Sequence, residues 1–296
     1  MKEIVVISGK GGTGKTSITA SFAYLGADNI VVADCDVDAA DLHMLLEPDF
    51  AKSEDFYSGE IADINQDLCI KCGECANVCR FNAIPIIDGQ FVVNQLNCEG
   101  CGYCARICPV NAITNLDNNV GKWFISTTKL NSIMVHARLG IGAENSGKLV
   151  AKVKNEAKRI ALETKKDFVL VDGSPGIGCP VVSSLSGASF VVIVTEATVS
   201  GLHDMKRVYE LVKKFNLKAG CIINKYNLNL KVSKEIELFL KAEGIIHIAN
   251  LPYDENFTKA MVEGKTIVET KKDKNNNLKS IIIDSWNKIK EETNKN

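Results

Sequence analysis

Eleven cysteines occur in this chain of 296 residues, and eight of them crowd into the short window between Cys69 and Cys108. The window holds two copies of the spacing C-x2-C-x2-C-x3-C, which align at a constant offset from Cys69 onto Cys98. The similarity continues past the cysteines, because Phe-Asn-Ala-Ile at 81–84 aligns with Val-Asn-Ala-Ile at 110–113. The window is therefore an internal duplication. Its eight cysteines are Cys69, Cys72, Cys75, Cys79, Cys98, Cys101, Cys104 and Cys108.

The repeated spacing favours two 4Fe–4S clusters over zinc sites or disulfides. Three cysteines of one copy can reach three irons of one cluster, while the fourth, carried off on the next helical turn, reaches the other cluster. Zinc is held by two separated C-x2-C pairs per ion, and clustered cysteines without a secretion signal are more often metal ligands than disulfides. The predicted ligand sets are Cys69, Cys72, Cys75 and Cys108 for one cluster, and Cys98, Cys101, Cys104 and Cys79 for the other.

Over about residues 60–119 the window resembles a bacterial-type two-cluster ferredoxin. The resemblance implies that the clusters relay electrons, and the alternative is that they only fold a small domain. One residue departs from the ferredoxin pattern, since Arg80 stands where the first motif usually has a proline, as the second motif has in Pro109. This change alters the stiffness and local charge of the turn, so it bears on the redox potential and not on the number of ligands.

The rest of the composition is ordinary for a soluble globular chain, with 46% hydrophobic and 24% charged residues. A formal charge of -1 and an isoelectric point near 6.5 give no field that would attract nucleic acid or an anionic membrane, so neither is expected as a partner. The N-terminal apolar run is too short for a signal peptide, and no stretch approaches the ~18 apolar residues of a membrane span. We expect a cytoplasmic protein of about two domains.

Near the C-terminus, apolar residues are spaced along one face of a predicted helix. A terminal amphipathic helix can lie on a membrane surface or dock on the protein's own sheet, and the modest local excess of lysine favours docking. The apolar positions are Leu278, Ile281, Ile282, Trp286 and Ile289.

The N-terminal strand leads directly into a phosphate-binding motif. Residues 2–8 read as a buried strand, and the pattern G-x4-G-K-T follows at once. The glycines let backbone N–H groups face a phosphate, Lys15 can reach the β and γ phosphates, and Thr16 offers its hydroxyl to Mg²⁺ at a helix N-terminus. A glycine-rich turn without a ligand is the alternative. The predicted nucleotide-binding residues of this loop are Gly9, Lys10, Gly11, Gly12, Thr13, Gly14, Lys15, Thr16 and Ser17.

The string KGGTGKT, from Lys10 to Thr16, resembles the deviant Walker A motif of the MinD/ParA/Mrp ATPases and the nitrogenase iron protein. In that group a second, early lysine reaches the nucleotide of the partner subunit in a face-to-face dimer. The resemblance therefore implies an ATP-dependent homodimer in which Lys10 is catalytic together with Lys15.

A second strand is predicted at 30–33 and ends in Asp34-Cys35-Asp36. Acidic residues at the carboxyl end of a strand in a parallel sheet face the ligand crevice. The resemblance implies that Asp36 positions the attacking water and is the third catalytic residue. Capping of the next helix is the alternative role for the acids of this segment.

An apolar strand at 167–171 is expected to end at Asp172, which would hold Mg²⁺ through water. A switch loop is expected to follow, in which Gly176 gives an N–H to the γ phosphate.

The strand at 220–223 is followed by Asn224-Lys225-Tyr226-Asn227, whereas guanine recognition normally needs N-K-x-D. ATP is therefore favoured over GTP.

Asn224 and the loop Leu251-Pro252-Tyr253-Asp254 resemble the adenine-contacting edge of the MinD-like site. The predicted nucleotide-binding residues of this edge are Asn224, Pro252 and Asp254.

Strands alternate with amphipathic helices on both sides of the cysteine window, which predicts an α/β fold with a doubly wound, mostly parallel sheet of the P-loop type. We expect one ATPase domain built from residues 1–58 and 121–296. The small α+β ferredoxin domain is expected as an insertion at 59–120.

The leading functional hypothesis is an ATPase whose nucleotide state gates electron transfer from two 4Fe–4S clusters to an unidentified redox or iron–sulfur partner protein. An iron–sulfur cluster carrier and a MinD-like redox-sensing switch are the alternatives. Cys35, Cys179 and Cys221 lie outside the window, and Cys179 is expected to be an ordinary buried thiol.

Overall fold

The computed structural model describes residues 1–140, 142, 146–270 and 277–295. The chain divides into two compact units. The large unit comprises Met1–Glu54, Trp123–Arg138 and Ser146–Asn296, and the small unit comprises Asp55–Lys122 and Leu139–Asn145. The domain boundaries expected from the sequence, at residues 59 and 120, lie within the first segment of the small unit, and they stay a prediction.

Strands and helices alternate along most of the chain. In chain order they are β1 (Lys2–Ser8), α1 (Lys15–Gly26), β2 (Ile30–Asp34), α2 (His43–Leu46), β3 (Lys52–Ile64), α3 (Glu74–Val78), β4 (Ile86–Ile87), β5 (Gln90–Phe91), α4 (Tyr103–Ile107), β6 (Ile113–Thr127), β7 (Ile133–Leu139), α5 (Ser146–Glu163), β8 (Phe168–Pro175), α6 (Cys179–Leu185), β9 (Phe190–Glu196), α7 (Val199–Lys214), β10 (Ala219–Asn224), a 3₁₀ turn (Tyr226–Leu228), α8 (Leu230–Glu243), β11 (Ile246–Leu251), α9 (Glu255–Val262) and α10 (Asn277–Asn294).

The main sheet has the strand order β11-β10-β9-β1-β8-β2-β7-β6-β3 across the described residues. The pairs from β11 through to β7 are parallel. The predicted α/β fold with a large, mostly parallel sheet is therefore confirmed. Because parallel strands end at the same edge, the segments after β1, β2, β8, β10 and β11 lie where a ligand would bind.

The central strands are apolar because helices cover the sheet, and β2 is buried along its whole length. One strand differs from its prediction. β8 continues to Pro175, so Asp172 lies inside the strand and not at its end. Asp172 pairs in register with Val6 of β1, and Pro175 pairs with Ser8, which keeps the strand going past the predicted end.

The C-terminal helix α10 docks on the large unit. Ile282, Trp286 and Ile289 belong to a buried core cluster, and the Trp286 ring stacks on Phe22 at a centroid distance of 5.4 Å. This packing confirms the expected docking of the apolar face. Among the helices of the described residues, none is long and apolar enough to cross a membrane.

The small unit repeats its own local geometry. Helices α3 and α4 each begin after a glycine of positive φ, Gly73 at 80° and Gly102 at 69°, and these glycines occupy equivalent positions in the two cysteine motifs. Asn82 and Asn111 are also equivalent to each other, and both have φ of 52°. The sequence duplication is therefore also a duplication of backbone conformation at these positions. At a third left-handed position the first motif has Lys71, with φ of 58°, where the second has Gly100, with φ of 61°.

Candidate functional site

The loop between β1 and α1 folds around its glycines. Gly12 and Gly14 have φ of 78° and 90°, which residues other than glycine rarely adopt. A Cβ at Gly14 would also clash with Nδ2 of Asn224, so a side chain here would displace that amide. Helix α1 begins directly after Gly14, which leaves the unpaired N–H groups of its first turn available to an anion.

Lys15 lies in a buried network of acidic residues. Its Nζ is 2.9 Å from Oδ2 of Asp172 and 3.4 Å from Oδ2 of Asp36. Thr16 Oγ1 and Thr19 Oγ1 both donate to the Asp172 carboxylate, at 3.0 and 2.8 Å. Burial opposes the charge of Lys15, but attraction to Asp172 and Asp36 outweighs it, so the pKa of Lys15 is raised. The lysine is therefore a fixed cation at the start of α1.

Two aspartates at the carboxyl end of β2, Asp34 in the strand and Asp36 after it, have raised pKa values. Burial, opposed by Lys15, raises the pKa of Asp36 to about 6. Asp34 is fully buried, and burial together with the Asp172 charge holds its pKa well above the usual range. Oδ1 of Asp34 accepts the Asp36 N–H at 3.2 Å, whereas its Oδ2 has no hydrogen-bond partner among the described residues. The site therefore contains more carboxylates than one lysine neutralises.

A cavity of about 380 Å³ opens above this network. Thr13 Oγ1, a buried donor in its wall, has no hydrogen-bond partner among the described residues, which fits a site that takes an oxygen-rich ligand. Lys15, Thr16 and Asp36 also reach the cavity. Its lining consists of Ser8, Gly11, Gly12, Thr13, Gly14, Lys15, Thr16, Ser17, Asp36, Ala39, Asp41, Pro175, Asn224, Lys225, Pro252, Tyr253, Asp254, Phe257, Thr258 and Met261.

The predicted base-binding residues lie at this cavity, and two of them, Asn224 and Asp254, also make hydrogen bonds with the protein backbone. Asn224 Nδ2 donates to the carbonyl oxygen of Thr13 at 2.7 Å. Asp254 caps α9 by accepting the Asn256 N–H at 2.7 Å. Asn227, where guanine-specific proteins have aspartate, accepts the Tyr253 N–H at 2.6 Å. The amide oxygen of Asn227 is thus occupied by the backbone.

Sequence reasoning missed most of the apolar part of the cavity wall, which consists of Tyr253, Phe257 and Met261. Tyr253 lies in the loop expected at the adenine edge, whereas Phe257 and Met261, both from α9, were missed. Their spacing of four residues, directly after Pro252, is the signal that one helix face turns toward the site. Lys225 was also missed, and its Nζ donates to the Gly12 carbonyl at 3.0 Å.

Four predicted residues do not line the cavity: Gly9, Lys10, Gly176 and Asp172, the last of which contacts the lining residues Lys15 and Thr16. Lys10 Nζ lies 2.6 Å from Oε1 of Glu196 and 2.9 Å from Ser200 Oγ, so it is held within its own chain. Gly9 approaches α7 so closely that a Cβ would lie 2.5 Å from the backbone of Asp204. The N–H of Gly176, expected to face a phosphate, donates instead to the Ser8 carbonyl at 2.9 Å, because β8 runs on beside β1.

In the small unit, two further cavities are lined by cysteines. One, of about 400 Å³, is lined by Cys79, Cys98, Cys101 and Cys104 among other residues. A smaller one is lined by Cys69, Cys72, Cys75 and Cys108. Each cavity thus takes three cysteines from one motif and the last cysteine from the other. This is the grouping that the sequence predicted for the two ligand sets.

The sulfur atoms are held in equivalent ways in the two halves. The Ala83 N–H donates to Sγ of Cys79 at 3.4 Å, and the Ala112 N–H donates to Sγ of Cys108 at 3.3 Å. Burial, with a smaller contribution from neighbouring cysteines that include Cys104, raises the pKa of Cys75. The raised pKa keeps the Cys75 thiol protonated at neutral pH unless a bound cation stabilises the thiolate.

Within the ranges that the structure describes, no three His, Cys, Asp or Glu side chains converge closely enough to hold a single metal ion. A 4Fe–4S cluster has a different iron at each of its four thiolates, so its ligands surround a cavity and do not converge on one point. The donor set of four cysteines around each cavity fits such a cluster.

The cysteines outside the window have no common site. Cys35 and Cys221 are buried, and burial raises the pKa of both thiols. Cys179 is exposed, so the expectation of a buried thiol was wrong. It is the first residue of α6, which buries Val181 and Leu185 on its other side.

Residues 4–267 match the family model described as the CobQ/CobB/MinD/ParA nucleotide binding domain. An uncharacterised protein of Methanocaldococcus jannaschii, MJ0578, is 33% identical over 98% of this chain and 96% of its own length. The cell division ATPase MinD of Pyrococcus furiosus has a similar fold, with a TM-score of 0.57, 19% identity and 98% of each chain covered. MinD of Pyrococcus horikoshii, solved with Mg-ADP, gives a TM-score of 0.56 at 20% identity, covering 96% of this chain and 94% of that one.

Proposed function

The chain belongs to the CobQ/CobB/MinD/ParA nucleotide-binding family, and on this basis we propose that it is an ATPase whose nucleotide state controls electron transfer through two 4Fe–4S clusters. The observation that carries the second half of the proposal is the pair of cavities, each lined by four cysteines drawn from both motifs. The nucleotide half is supported by the cavity around the glycine-rich loop.

ATP with Mg²⁺ is the proposed substrate of the large unit. The glycine-rich loop would bind the phosphates through backbone N–H groups, and Lys15 would turn from Asp172 and Asp36 toward the β and γ phosphates. Thr16 and Asp172, whose side-chain oxygens are already 3.0 Å apart, would hold the Mg²⁺, which neutralises phosphate charge when bound. The solved Mg-ADP complex of the Pyrococcus horikoshii protein supports this choice of ligand.

Asp36 is the proposed residue that orients the attacking water. It lines the cavity, and its carboxylate pairs with Lys15 at 3.4 Å, so it becomes available once Lys15 binds phosphate. A charged carboxylate accepts a hydrogen bond from water and points the water oxygen at the γ phosphorus. The products are ADP and inorganic phosphate.

The two cysteine sets are proposed to hold one 4Fe–4S cluster each. Such a cluster accepts and releases one electron at a time. The polypeptide would supply the four thiolates, the N–H donors of Ala83 and Ala112, and an apolar surround that contains Ile64, Ile84 and Ile113.

Control by the nucleotide is proposed from the order of the chain. The small unit consists of two chain segments, Asp55–Lys122 and Leu139–Asn145, so four connections join it to the large unit. All four lie in the chain between the segment that contains Asp36 and the strand that contains Asp172, so movements of these two elements during ATP binding and hydrolysis would be transmitted to the connections. We further propose that ATP brings two copies of the chain together. In this dimer Lys10 would leave Glu196 and bind the nucleotide of the partner subunit. The electron acceptor would be a separate protein.

Iron content tests the cluster assignment. The anaerobically reconstituted full chain is expected to hold about eight irons, and Cys72→Ser or Cys101→Ser is expected to lose about four of them, because each removes one ligand of one cluster. Cys179→Ser is the matched control, since Cys179 is also exposed but lines neither cavity. Equal iron in all three variants would contradict the assignment.

Electron delivery tests the control by nucleotide. The reduced protein is mixed with a one-electron acceptor in a stopped-flow instrument, with ATP, with ADP or without nucleotide. We expect the rates with ATP and ADP to differ by about fivefold or more. The difference should vanish in Lys15→Ala and persist in Lys234→Ala, an exposed lysine of α8. Identical rates in all three states would overturn the proposed control, and loss of clusters to an apo-protein would indicate a cluster carrier instead.

A further inference from the structure

The two cysteine cavities differ at one equivalent position. The residue that follows the last cysteine of the first motif is Arg80, and it lines the cavity with Cys98, Cys101 and Cys104. The residue that follows the last cysteine of the second motif is Pro109, and it lines the other cavity. The two cavities therefore differ by one charged residue, because one has the exposed Arg80 in its wall where the other has Pro109.

The other charged residues in the walls do not cancel this difference. Glu99 lines the Arg80 cavity, and Glu74 lines the cavity of Pro109, so each has one carboxylate. Arg80 thus adds one positive charge to one side only. Lys71 lies between Cys69 and Cys72 in the sequence, but it lines neither cavity.

Arg80 is free to act on the cavity. Among the residues that the structure describes, no carboxylate lies within ion-pair distance of it. An arginine keeps its charge at every pH at which the protein is folded, so its effect does not depend on titration. A fixed cation beside a redox centre stabilises the form that carries the additional electron.

We propose that Arg80 makes the two clusters unequal, raising the reduction potential of the cluster held by Cys79, Cys98, Cys101 and Cys104 above that of the other. If both clusters are bound, the first electron from a low-potential one-electron donor would then reside mainly on the cluster beside Arg80. Arg80 acts through the cluster environment and is not a ligand. This inference rests on the proposed function, because it requires both clusters to be present.

The test is an anaerobic redox titration of the reconstituted full chain, followed by electron paramagnetic resonance. The wild-type protein is expected to show two separate one-electron transitions. Arg80→Gln should lower only the higher one, reducing its reduced-to-oxidised ratio at a fixed potential by about tenfold, which is about 59 mV for a one-electron couple. Arg80→Lys keeps the charge and should stay close to the wild type.

Two further variants assign the transitions to the cavities. Glu74→Gln removes a carboxylate from the Pro109 cavity, so it should raise only the lower transition. Lys71→Gln removes a charge that is near in sequence but outside both walls, so both transitions should shift far less than in Arg80→Gln. If Arg80→Gln binds less iron than the wild type, Arg80→Lys and Glu74→Gln still test the same charge argument.

Failure of the Arg80 inference and failure of the proposed function give different results. Two bound clusters whose potentials coincide, or that both shift in Arg80→Gln, would overturn the inference and leave the proposed function standing. A reconstituted chain without any cluster signal would overturn both.

Discussion

The nucleotide cavity and the cysteine cavities are stabilised in different ways. The segments that line the nucleotide cavity directly follow strands of the main sheet. Side chains of this sheet and of the helices on it form a large buried core, in which Ile4, Phe22 and Leu170 are fully buried. The hydrophobic cluster around the cysteines of the small unit contains five buried side chains among the described residues, one of which is itself a proposed ligand, Cys75. Five of the nine partly buried residues packed against this cluster are cysteines.

The contrast shows where each site obtains its stability. A buried parallel sheet holds the glycine-rich loop, Asp36 and Asp172 in place whether or not a nucleotide is bound. A unit with so small an apolar core usually needs a metal or disulfides to stay folded. The nucleotide site is therefore built before its ligand binds, and we expect the cysteine sites to form together with their clusters.

Removal of iron should give the largest effect and is the most direct challenge to this contrast. After anaerobic chelation we expect backbone amides within residues 55–122 to exchange at close to the unfolded rate, because ligand binding and folding are coupled there. Amides of β1 and β8 should stay protected. Hydrogen exchange read by mass spectrometry checks this, and protection of the small unit without iron would show that its core suffices alone.

The pH dependence of ATP hydrolysis tests the role of Asp36 in the large unit. Because its charged form is the one that orients water, ATP hydrolysis should fall as the pH drops through about 6, the pKa of Asp36. Asp36→Asn should lower the rate by about 10²-fold or more and remove this dependence. The exposed Asp28→Asn is the control. The iron content of the small unit should be the same in both variants.

The same group links stability to pH. The folded-state pKa of Asp36, about 6, lies above its ordinary value of 3.8, so its protonated form stabilises the fold. That contribution is fully present below 3.8 and is lost as the pH rises through about 6. Urea unfolding of the nucleotide-free protein should show this loss in the wild type and a weaker one in Asp36→Asn, and an unchanged pH dependence would argue against it.

Glu196 should give the smallest effect. It holds Lys10 at 2.6 Å and Lys225 at 3.0 Å, and both contacts are partly exposed to solvent. Glu196→Gln should free Lys10 and lower the ATP concentration needed for dimerisation by about two- to fivefold, an effect that salt weakens. Analytical ultracentrifugation with ATP measures it. Glu243→Gln, which breaks the Lys213 ion pair instead, should leave dimerisation unchanged.

Several features of the fold were accessible from local pattern alone. Strand-forming runs at β1, β2 and β10 were identified to within one residue at each end, since buried parallel strands are continuous apolar stretches. The end of β8 was not, because its extension to Pro175 depends on pairing with β1 and on the buried neighbours of Gly173 and Ser174.

Spacing along the chain was enough to identify the family and the glycine-rich loop, because covalent geometry keeps residues that are close in sequence close in space. The predicted grouping of the eight cysteines also needed the known ligand pattern of their repeated spacing, since each set joins cysteines of both motifs. Long-range packing settled the rest. It pairs Lys10 with Glu196, directs the Gly176 N–H to Ser8, exposes Cys179, and sets Arg80 in one cavity wall and Pro109 in the other. Each of these depends on segments far apart in the chain or on which face of an element is covered, and local spacing carries no information about either.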